Sequence, residues 1–404
     1  MLNSTDRAPK TGLILSGGGA RGAYEAGVIK YIREQLPARI RSHARFEIIC
    51  GTSVGAVNSC FLAALSHIPE SQGEALAQMW RSLRIDGIYE IGWRELVNLP
   101  KFILGSRGRG ELDEIIGSSR LGGLFNTSPL EDLVRRHIRW KNVQVNLESG
   151  DVQALALTAT HVSSGMTHIF LQRAKSSQPL LWSTDPQMQP FEVELGPAHA
   201  LASAAIPWIF PAVELEGEVY CDGGIKLNTP ISPALRLGAD RLLVINLRTE
   251  ERIRAEKRRA QMDRYPSALF LLGKILNALM LDKTDYDLER LERFNNLADL
   301  GNEEFRDNIT ALRGSPYRHI DTLVIRPSED LGVLAARRLR MGGLAERVGG
   351  VIGRVLSRIV ESTDQQGSDF LSYLLFDVEY ANDLIELGMH DADASRQKII
   401  DFFN

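Results

Sequence analysis

The N-terminal part of the chain alternates short apolar runs with helical hydrophobic patterns. Residues 11–16 form an apolar run that leads into glycines and predicts a buried strand. Apolar residues recur at helical spacing over residues 22–36, and Pro37 predicts the end of that helix. Residues 46–50 and 54–66 repeat the order of strand and helix. Two consecutive strand–turn–helix units favour a parallel sheet covered by helices.

The rest of the chain adds further strands and a long charged region. Apolar runs predict strands at residues 152–160, 167–171, 219–221, 241–247 and 322–325. Residues 70–148 are interpreted as mostly helical and irregular, with glycine-rich breaks at residues 105–110 and 122–123. Residues 250–313 are charged and helical, and helical patterns follow the last predicted strand to the end of the chain.

Composition places the chain among ordinary globular proteins. Hydrophobic residues make up 44% and charged residues 24% of the 404 positions, and the net charge is −4. This balance excludes a disordered or fibrous chain and gives no reason to expect nucleic-acid binding. Three cysteines without metal-ligand spacing predict neither a disulfide scaffold nor a metal site, and they favour a reducing compartment. Because residues 1–10 are polar and no apolar run approaches about 18 residues, a cytoplasmic protein is expected, with attachment to a membrane surface left open.

The sequence Gly51-Thr-Ser-Val-Gly55 lies between a predicted strand and a predicted helix, as a nucleophile elbow does. A serine at such a turn has a strained backbone and an exposed hydroxyl, and small neighbours let the strand and helix cross closely. The helix N-terminus behind Ser53 would add amide groups where negative charge develops. The alternative is a helix cap in which Ser53 satisfies backbone N–H groups, and the motif alone does not choose between the two.

A second motif, Gly17-Gly-Gly-Ala-Arg-Gly22, follows the first strand and opens the first helix. It fits the dinucleotide fingerprint, but such a site needs an acidic residue about 20 positions on, at the end of the next strand. The next strand instead runs into the serine motif; Glu47 lies inside it and Glu25 comes too early. The other functional interpretation is an oxyanion hole built from glycine amides, with Arg21 adding positive charge or holding the loop. A tight turn that requires glycine is the structural alternative.

Asp222-Gly-Gly224 follows a short predicted strand, at the kind of strand end where catalytic groups collect in open α/β sheets. A carboxylate there could accept the proton of a serine hydroxyl, and an Asp-Gly turn is the plainer alternative. None of the eight histidines lies in a catalytic signature, so none is assigned a role. A triad of Ser53, Asp222 and then His319 or His390 stays open on the sequence alone.

The three motifs, in this order, resemble those of the patatin-like phospholipase family. Residues 203–211 are also similar to that family, although Trp208 stands where a small residue is common and would narrow the site. The likeness covers roughly residues 10–248, and the end of the chain, from residue 369 to 391, resembles the tail of a bacterial subgroup.

The resemblance implies an α/β fold of three layers, α/β/α, with a central, mostly parallel sheet and helices on both faces. The expected layout is a tail at residues 1–9, a catalytic domain at residues 10–248, and a mostly helical region at residues 249–404 packed on that domain.

The resemblance also implies roles for individual residues. Ser53 would be the nucleophile and Asp222 the base of a dyad, and the backbone of Gly17, Gly18 and Gly19 would form the oxyanion hole. The supporting motif residues are Arg21, Gly22, Gly51, Gly55, Gly223 and Gly224.

The implied activity is hydrolysis of fatty-acyl esters of phospholipids or lysophospholipids through an acyl-enzyme, without a metal or organic cofactor. The expected partners are the lipid substrate, a transient contact with the inner face of the membrane, and a second copy in a homodimer; nucleic acid is not among them. Three alternatives stay open: an acyl thioesterase, a transacylase on the same dyad, and a non-catalytic lipid-binding protein.

Two apolar stripes, at residues 88–104 and 267–281, could line an acyl tunnel or lie in a membrane interface. Ordinary core packing is the alternative for each stripe. A basic run at residues 252–259 and the cluster Arg337-Arg338-Leu-Arg340 could face anionic headgroups, and a solvated helix face is the alternative.

Overall fold

The computed structural model describes residues 9–85, 88, 126–175, 182, 186–249, 278, 284–313, 318–341 and 368–404. Within these residues, the strands are β1 (Thr11–Leu15), β2 (Ile48–Thr52), β3 (Ala154–His161), β4 (Thr167–Arg173), β5 (Met188–Glu192), β6 (Val213–Leu215), β7 (Glu218–Asp222), β8 (Arg241–Ile245) and β9 (Asp321–Ile325).

The helices of the described residues are α1 (Ala23–Glu34), α2 (Ala38–His43), α3 (Val54–Ala64), α4 (Gln72–Ser82), α5 (Ser128–His137), α6 (Trp140–Ser149), α7 (Pro197–Ser203), α8 (Ile231–Arg236), α9 (Thr284–Leu300), α10 (Glu303–Arg313), α11 (Leu331–Arg340), α12 (Ser368–Leu374), α13 (Val378–Ala394) and α14 (Arg396–Phe403). Short 3-10 turns lie at Gly19–Gly22, Pro69–Ser71 and Gly223–Ile225. No helix among these is long and apolar enough to cross a bilayer.

The strands form one mixed, mostly parallel sheet in the order β5-β4-β3-β2-β1-β8-β9. The central strand β1 is parallel to both β2 and β8, so the two predicted strand–turn–helix units are confirmed. Strand β7 pairs with the end of β3, and β6 pairs with β7. Strand β9, from the region after residue 248, pairs in parallel with β8 and extends the same sheet.

Alternating side chains of the strands fill two cores, one on each face of the sheet. Leu13 and Leu15 of β1 contribute to the core that also holds buried residues of α1, α3 and α13. Ile14, between them, contributes to the opposite core, which includes Ala234 of α8 and Leu291 of α9. The expected three-layer α/β/α architecture with a helical C-terminal region is therefore confirmed.

Helix α13 packs on α1 at two reciprocal points where a glycine allows the backbones to meet. A Cβ on Gly27 would overlap the carbonyl oxygen of Ile385, and a Cβ on Gly388 would overlap that of Tyr24. This contact fixes the C-terminal helices to the helix that follows the glycine-rich loop.

The structure also differs from the prediction in places. Strand β2 begins at Ile48, two residues later than predicted, and strands β5 and β6 were not predicted at all. Strand β5 lies at the edge of the sheet and contains Pro190, a residue that weakens any sequence signal for a strand. Some predicted features lie outside the described residues: both glycine-rich breaks, the basic run, and both apolar stripes except residues 88 and 278.

Candidate active site

The register of the sheet brings the serine and aspartate motifs together. Thr52, the last residue of β2, pairs with Thr158, and the next residue of β3, Ala159, pairs with Asp222 at the end of β7. Strands β2 and β7 thus meet end to end along the same side of β3. Ser53, which directly follows β2, therefore lies beside Asp222.

Ser53 has the strained backbone expected of a nucleophile elbow. Its φ is 56° and its ψ is −127°, and α3 begins at the next residue. Gly51 packs against Gly55, and Gly55 packs against the backbone of Leu15, so larger side chains would overlap where the strand and helix cross. The Ser53 side chain makes no capping bond to α3, which argues against the helix-cap alternative.

The Ser53 hydroxyl donates a hydrogen bond of 2.6 Å to Oδ2 of Asp222. The other carboxylate oxygen, Oδ1, accepts the amide of Gly224 at 2.7 Å. Both side chains are buried. Burial raises the pKa of Asp222 to about 7, although the hydrogen bonds from Ser53 and Gly224 oppose this shift. A carboxylate with this pKa is a much stronger base than an ordinary aspartate.

The two histidines left open for a triad lie elsewhere. His319 is exposed, is hydrogen-bonded to the carboxylate of Asp299, and lies 3.4 Å from a carboxylate oxygen of Asp321. His390 lies 3.2 Å from the carboxylate of Asp391. No histidine in the described ranges is hydrogen-bonded to Ser53 or to Asp222. The geometry is therefore that of a direct serine–aspartate pair.

Two groups that the sequence analysis did not single out hold this pair in place. Ser203, at the end of α7, accepts the amide of Ser53 at 2.9 Å and donates to the carbonyl of Thr158 at 2.6 Å. The amide of Asp222 donates to the carbonyl of Ala205 at 2.8 Å. The family-like stretch of residues 203–211 was the sequence signal for both contacts.

The glycine-rich loop passes directly beside Ser53. A Cβ on Gly17 would overlap Oδ1 of Asn228 and lie 2.9 Å from the Cβ of Ser53. Asn228 holds Gly17 by two bonds of 3.2 Å, since its carbonyl accepts the amide of Gly17 and its side-chain amide donates to the carbonyl of Gly17. The sequence analysis missed Asn228, which lies six positions after Asp222.

Arg21 holds the loop, which is one of the two roles that the sequence left open. Its side chain is buried, its Nε donates to Ser372 Oγ at 2.8 Å, and its Cζ lies 4.1 Å from the centroid of the Tyr373 ring. Among the remaining motif glycines, Gly22 packs against Val54, and Gly223 packs against the carbonyl of Thr158.

The acidic residues considered for a dinucleotide site are both engaged by protein groups. Glu47 precedes β2 and accepts the amide of Thr11 at 2.8 Å. Glu25 is fully buried, accepts the side-chain amide of Asn58 at 2.8 Å, and has a pKa raised by burial well above its ordinary value. The described residues also contain no cluster of three or more His, Cys, Asp or Glu that could hold a metal ion.

The structure also places Trp208 and two arginines of the basic cluster that the sequence analysis noted. Trp208 is 52% exposed and has a left-handed backbone, with φ of 64°, in the turn after α7. In the basic cluster of α11, Arg337 pairs with Glu329 and Arg338 pairs with Asp383. These two arginine charges are therefore engaged by carboxylates of the same protein.

Comparison with known proteins identifies the family. A model of the patatin-like phospholipase family matches residues 13–235, more than half of the chain. The chain belongs to the patatin-like phospholipase family, and this membership supports a lipid hydrolase activity.

One characterised relative and two solved structures are similar to this chain. A cGAMP-activated phospholipase of Pseudomonas aeruginosa (strain BWHPSA011 / Pa011) is 30% identical over 218 residues, which span 54% of this chain and 53% of the relative. The match to the crystal structure of VipD from Legionella pneumophila covers 91% of this chain and 67% of the VipD chain, at 13% identity and a TM-score of 0.30. The match to human GIVD cytosolic phospholipase A2, in complex with methyl γ-linolenyl fluorophosphonate, covers 98% of this chain and 58% of the human chain. The identity is 11% and the TM-score is 0.35.

Proposed function

We propose that this protein is a serine acyl hydrolase that cleaves fatty-acyl esters of phospholipids or lysophospholipids. The observation that carries the proposal is the buried hydrogen bond of 2.6 Å from the Ser53 hydroxyl to Asp222, at a strained turn between a strand and a helix. Membership of the family supports a lipid as the substrate. We also propose that the protein is cytoplasmic and meets its lipid substrate at a membrane surface.

In the proposed acylation step, Asp222 takes the proton of Ser53 as the hydroxyl oxygen attacks the ester carbonyl. The tetrahedral intermediate then collapses, and the protonated Asp222 returns the proton to the departing alkoxide, which leaves as an alcohol. The fatty acid stays bound to Ser53 as an acyl ester. Asp222 next takes a proton from water as the water oxygen attacks this ester and forms a second tetrahedral intermediate. When this intermediate collapses, the protonated Asp222 returns the proton to the departing Ser53 oxygen, and the fatty acid is released.

The glycine-rich loop is proposed to stabilise the oxyanion of both intermediates. The amide of Gly17 already donates to the carbonyl of Asn228, so Gly18 and Gly19 are the proposed donors. Helix α3 begins directly behind Ser53, and its N-terminal amides and dipole add to the stabilisation of negative charge. Loss of one such donor typically costs about 10²–10³-fold in kcat.

The first experiment is fatty-acid release from mixed phospholipid and lysophospholipid micelles by wild type, Ser53→Ala and Asp222→Asn. Each reaction is run with and without cGAMP, because the relative from Pseudomonas aeruginosa is a cGAMP-activated phospholipase. Ser42→Ala is the matched control, since its hydroxyl is exposed and bonds to the carbonyl of Arg39 at the surface. We expect release by wild type and by the control, and almost none by the two site variants.

Other outcomes would contradict the proposal. Near-wild-type release by Asp222→Asn would leave Asp222 as a turn residue. A folded wild type that is inert on every lipid, with and without cGAMP, would favour a lipid-binding protein. Addition of competing alcohol and thiol acceptors separates hydrolysis from acyl transfer, because a transacylase would form new esters in place of free fatty acid.

A further inference from the structure

We propose that Ser372 and Tyr373 are positioning residues for the oxyanion hole. Both lie in α12, far beyond residue 235, where the family match ends. The inference rests on the proposed function, in which the amides of Gly18 and Gly19 are the oxyanion donors. The C-terminal part of the chain would then complete the catalytic site without touching the substrate.

The first contact runs through Arg21, whose guanidinium faces α12. Its Nε donates to the hydroxyl oxygen of Ser372, and its Cζ lies over the ring of Tyr373. All three side chains are buried. A hydrogen bond at one edge and an aromatic ring against the face fix both the position and the plane of the guanidinium. Because the amide of Arg21 donates to the carbonyl of Gly18 at 3.2 Å, the anchored side chain also fixes the loop.

The second contact is between backbones. Gly19 has a φ of 58°, a left-handed conformation that favours glycine. A Cβ on Gly19 would overlap the carbonyl oxygen of Tyr373 and lie 3.2 Å from its Cα. The third glycine of the loop therefore rests on the backbone of α12, and a shift of one must displace the other.

The segment that makes these contacts is tied to the helix behind the nucleophile. Phe376, just after α12, stacks on Trp80 with ring centroids 6.2 Å apart and an interplanar angle of 5°. The indole N–H of Trp80 donates to Oδ1 of Asn58 in α3 at 3.1 Å. The C-terminal segment, the glycine-rich loop and α3 thus share one packed frame. Such a frame can hold the loop amides at a fixed distance from Ser53, as preorganised electrostatic stabilisation requires.

The test compares Ser372→Ala and Tyr373→Leu with wild type. Tyr373→Phe keeps the ring, and Leu371→Ala is the matched control, because Leu371 is a buried apolar residue of the same helix. The readouts are kcat and KM for a soluble p-nitrophenyl ester, the rate at which a fluorophosphonate labels Ser53 as followed by mass spectrometry, and the melting temperature.

We expect Ser372→Ala and Tyr373→Leu to lower both kcat and the labelling rate about tenfold, because the donors are displaced and not removed. KM should stay within about twofold, since neither side chain contacts the substrate. Tyr373→Phe should label within about twofold of wild type. Leu371→Ala should have a lower melting temperature than wild type, but its kcat and labelling rate should stay unchanged.

Several results would overturn the inference. If Ser372→Ala and Tyr373→Leu had the same kcat and labelling rate as Leu371→Ala at an equal melting temperature, Ser372 and Tyr373 would have a purely structural role. A raised KM with unchanged kcat in these variants would mean that Arg21 acts on the substrate. If Tyr373→Phe lost as much kcat and labelling rate as Tyr373→Leu, the contact of Arg21 with the ring would not be what positions the loop. Absence of any labelling of Ser53 in wild type would be a failure of the proposed function itself.

Discussion

The hydroxyl of Ser203 accepts the backbone amide of Ser53 and so ties the strained turn at Ser53 to α7. The same hydroxyl donates to the carbonyl of Thr158 on β3. One small side chain therefore satisfies two buried backbone groups and fixes the turn against the sheet. The position of Ser53 is therefore fixed by a residue that lies 150 positions away in the sequence.

Removal of this hydroxyl should cost both stability and rate. In Ser203→Ala the Ser53 amide and the Thr158 carbonyl lose a partner at a buried site, and an unsatisfied buried group costs about 1–3 kcal/mol. We expect the free energy of unfolding to fall by about that amount and kcat to fall about tenfold. Urea unfolding and ester hydrolysis measure the two effects. Ser42→Ala should change neither, and an equally active Ser203→Ala would contradict the role assigned to Ser203.

The activity should depend on pH through Asp222. In the proposed mechanism Asp222 acts as a base only when it is deprotonated. Because burial raises its pKa to about 7, kcat/KM should rise with pH through about 7 and level off above it. A profile from pH 5 to 9 with a soluble ester measures this limb. Asp222→Asn should show no such limb in its residual activity. A flat profile in wild type would show that another group, or no group, acts as the base.

The same carboxyl should affect stability with the opposite sign. Its pKa is about 7 in the folded protein against an ordinary 3.8, so between these values the folded state binds more protons than the unfolded state. The free energy of unfolding contributed by Asp222 therefore falls as the pH rises through this window. The free energy of unfolding of Asp222→Asn, measured by urea unfolding relative to wild type, should therefore increase as the pH is raised from 4.5 to 8. A difference that does not change with pH would contradict the raised pKa.

The position of Gly17 leaves no room for a side chain, although its backbone is not in the left-handed region. A Cβ there would overlap Oδ1 of Asn228 and crowd the Cβ of Ser53. We expect Gly17→Ala to lower kcat about 10²-fold, because displacements near 1 Å at a reacting centre have effects of this size. Gly196→Ala is the matched control, since its φ of −142° suits any residue and nothing lies within 4 Å of its Cβ position. Comparable activity of the two variants would contradict the tight packing at Gly17.

The sequence predicts those parts of the site that depend on local patterns. Ser53 and the triple glycine each follow a strand, Asp222 ends one, and a short motif marks each of them. The strands β1 and β2 are detectable because they are buried on both faces and continuous in apolar residues. Strand β5 gives no such signal, since it is an edge strand interrupted by Pro190.

The supporting contacts are not predictable because they are distant in sequence. Asn228 is 211 positions from Gly17, and Ser372 is 351 positions from Arg21. Nothing in the local pattern around a serine or an asparagine tells which backbone group it will meet. Only the packed fold brings these partners together, and Arg21 could be assigned the role of holding the loop only after its neighbours were known.

The central position of β1 also determines how short a working version of this protein can be. Strand β1 carries the glycine-rich loop and pairs with β8, which lies after residue 235, and β8 pairs with β9, which follows residue 320. A recombinant fragment that stops at the boundary of the family match would expose the bare hydrogen-bonding edge of an apolar strand in the middle of the protein. Such an edge recruits strands from other molecules, so the fragment would aggregate. We therefore expect the shortest soluble version of this protein to include both β8 and β9.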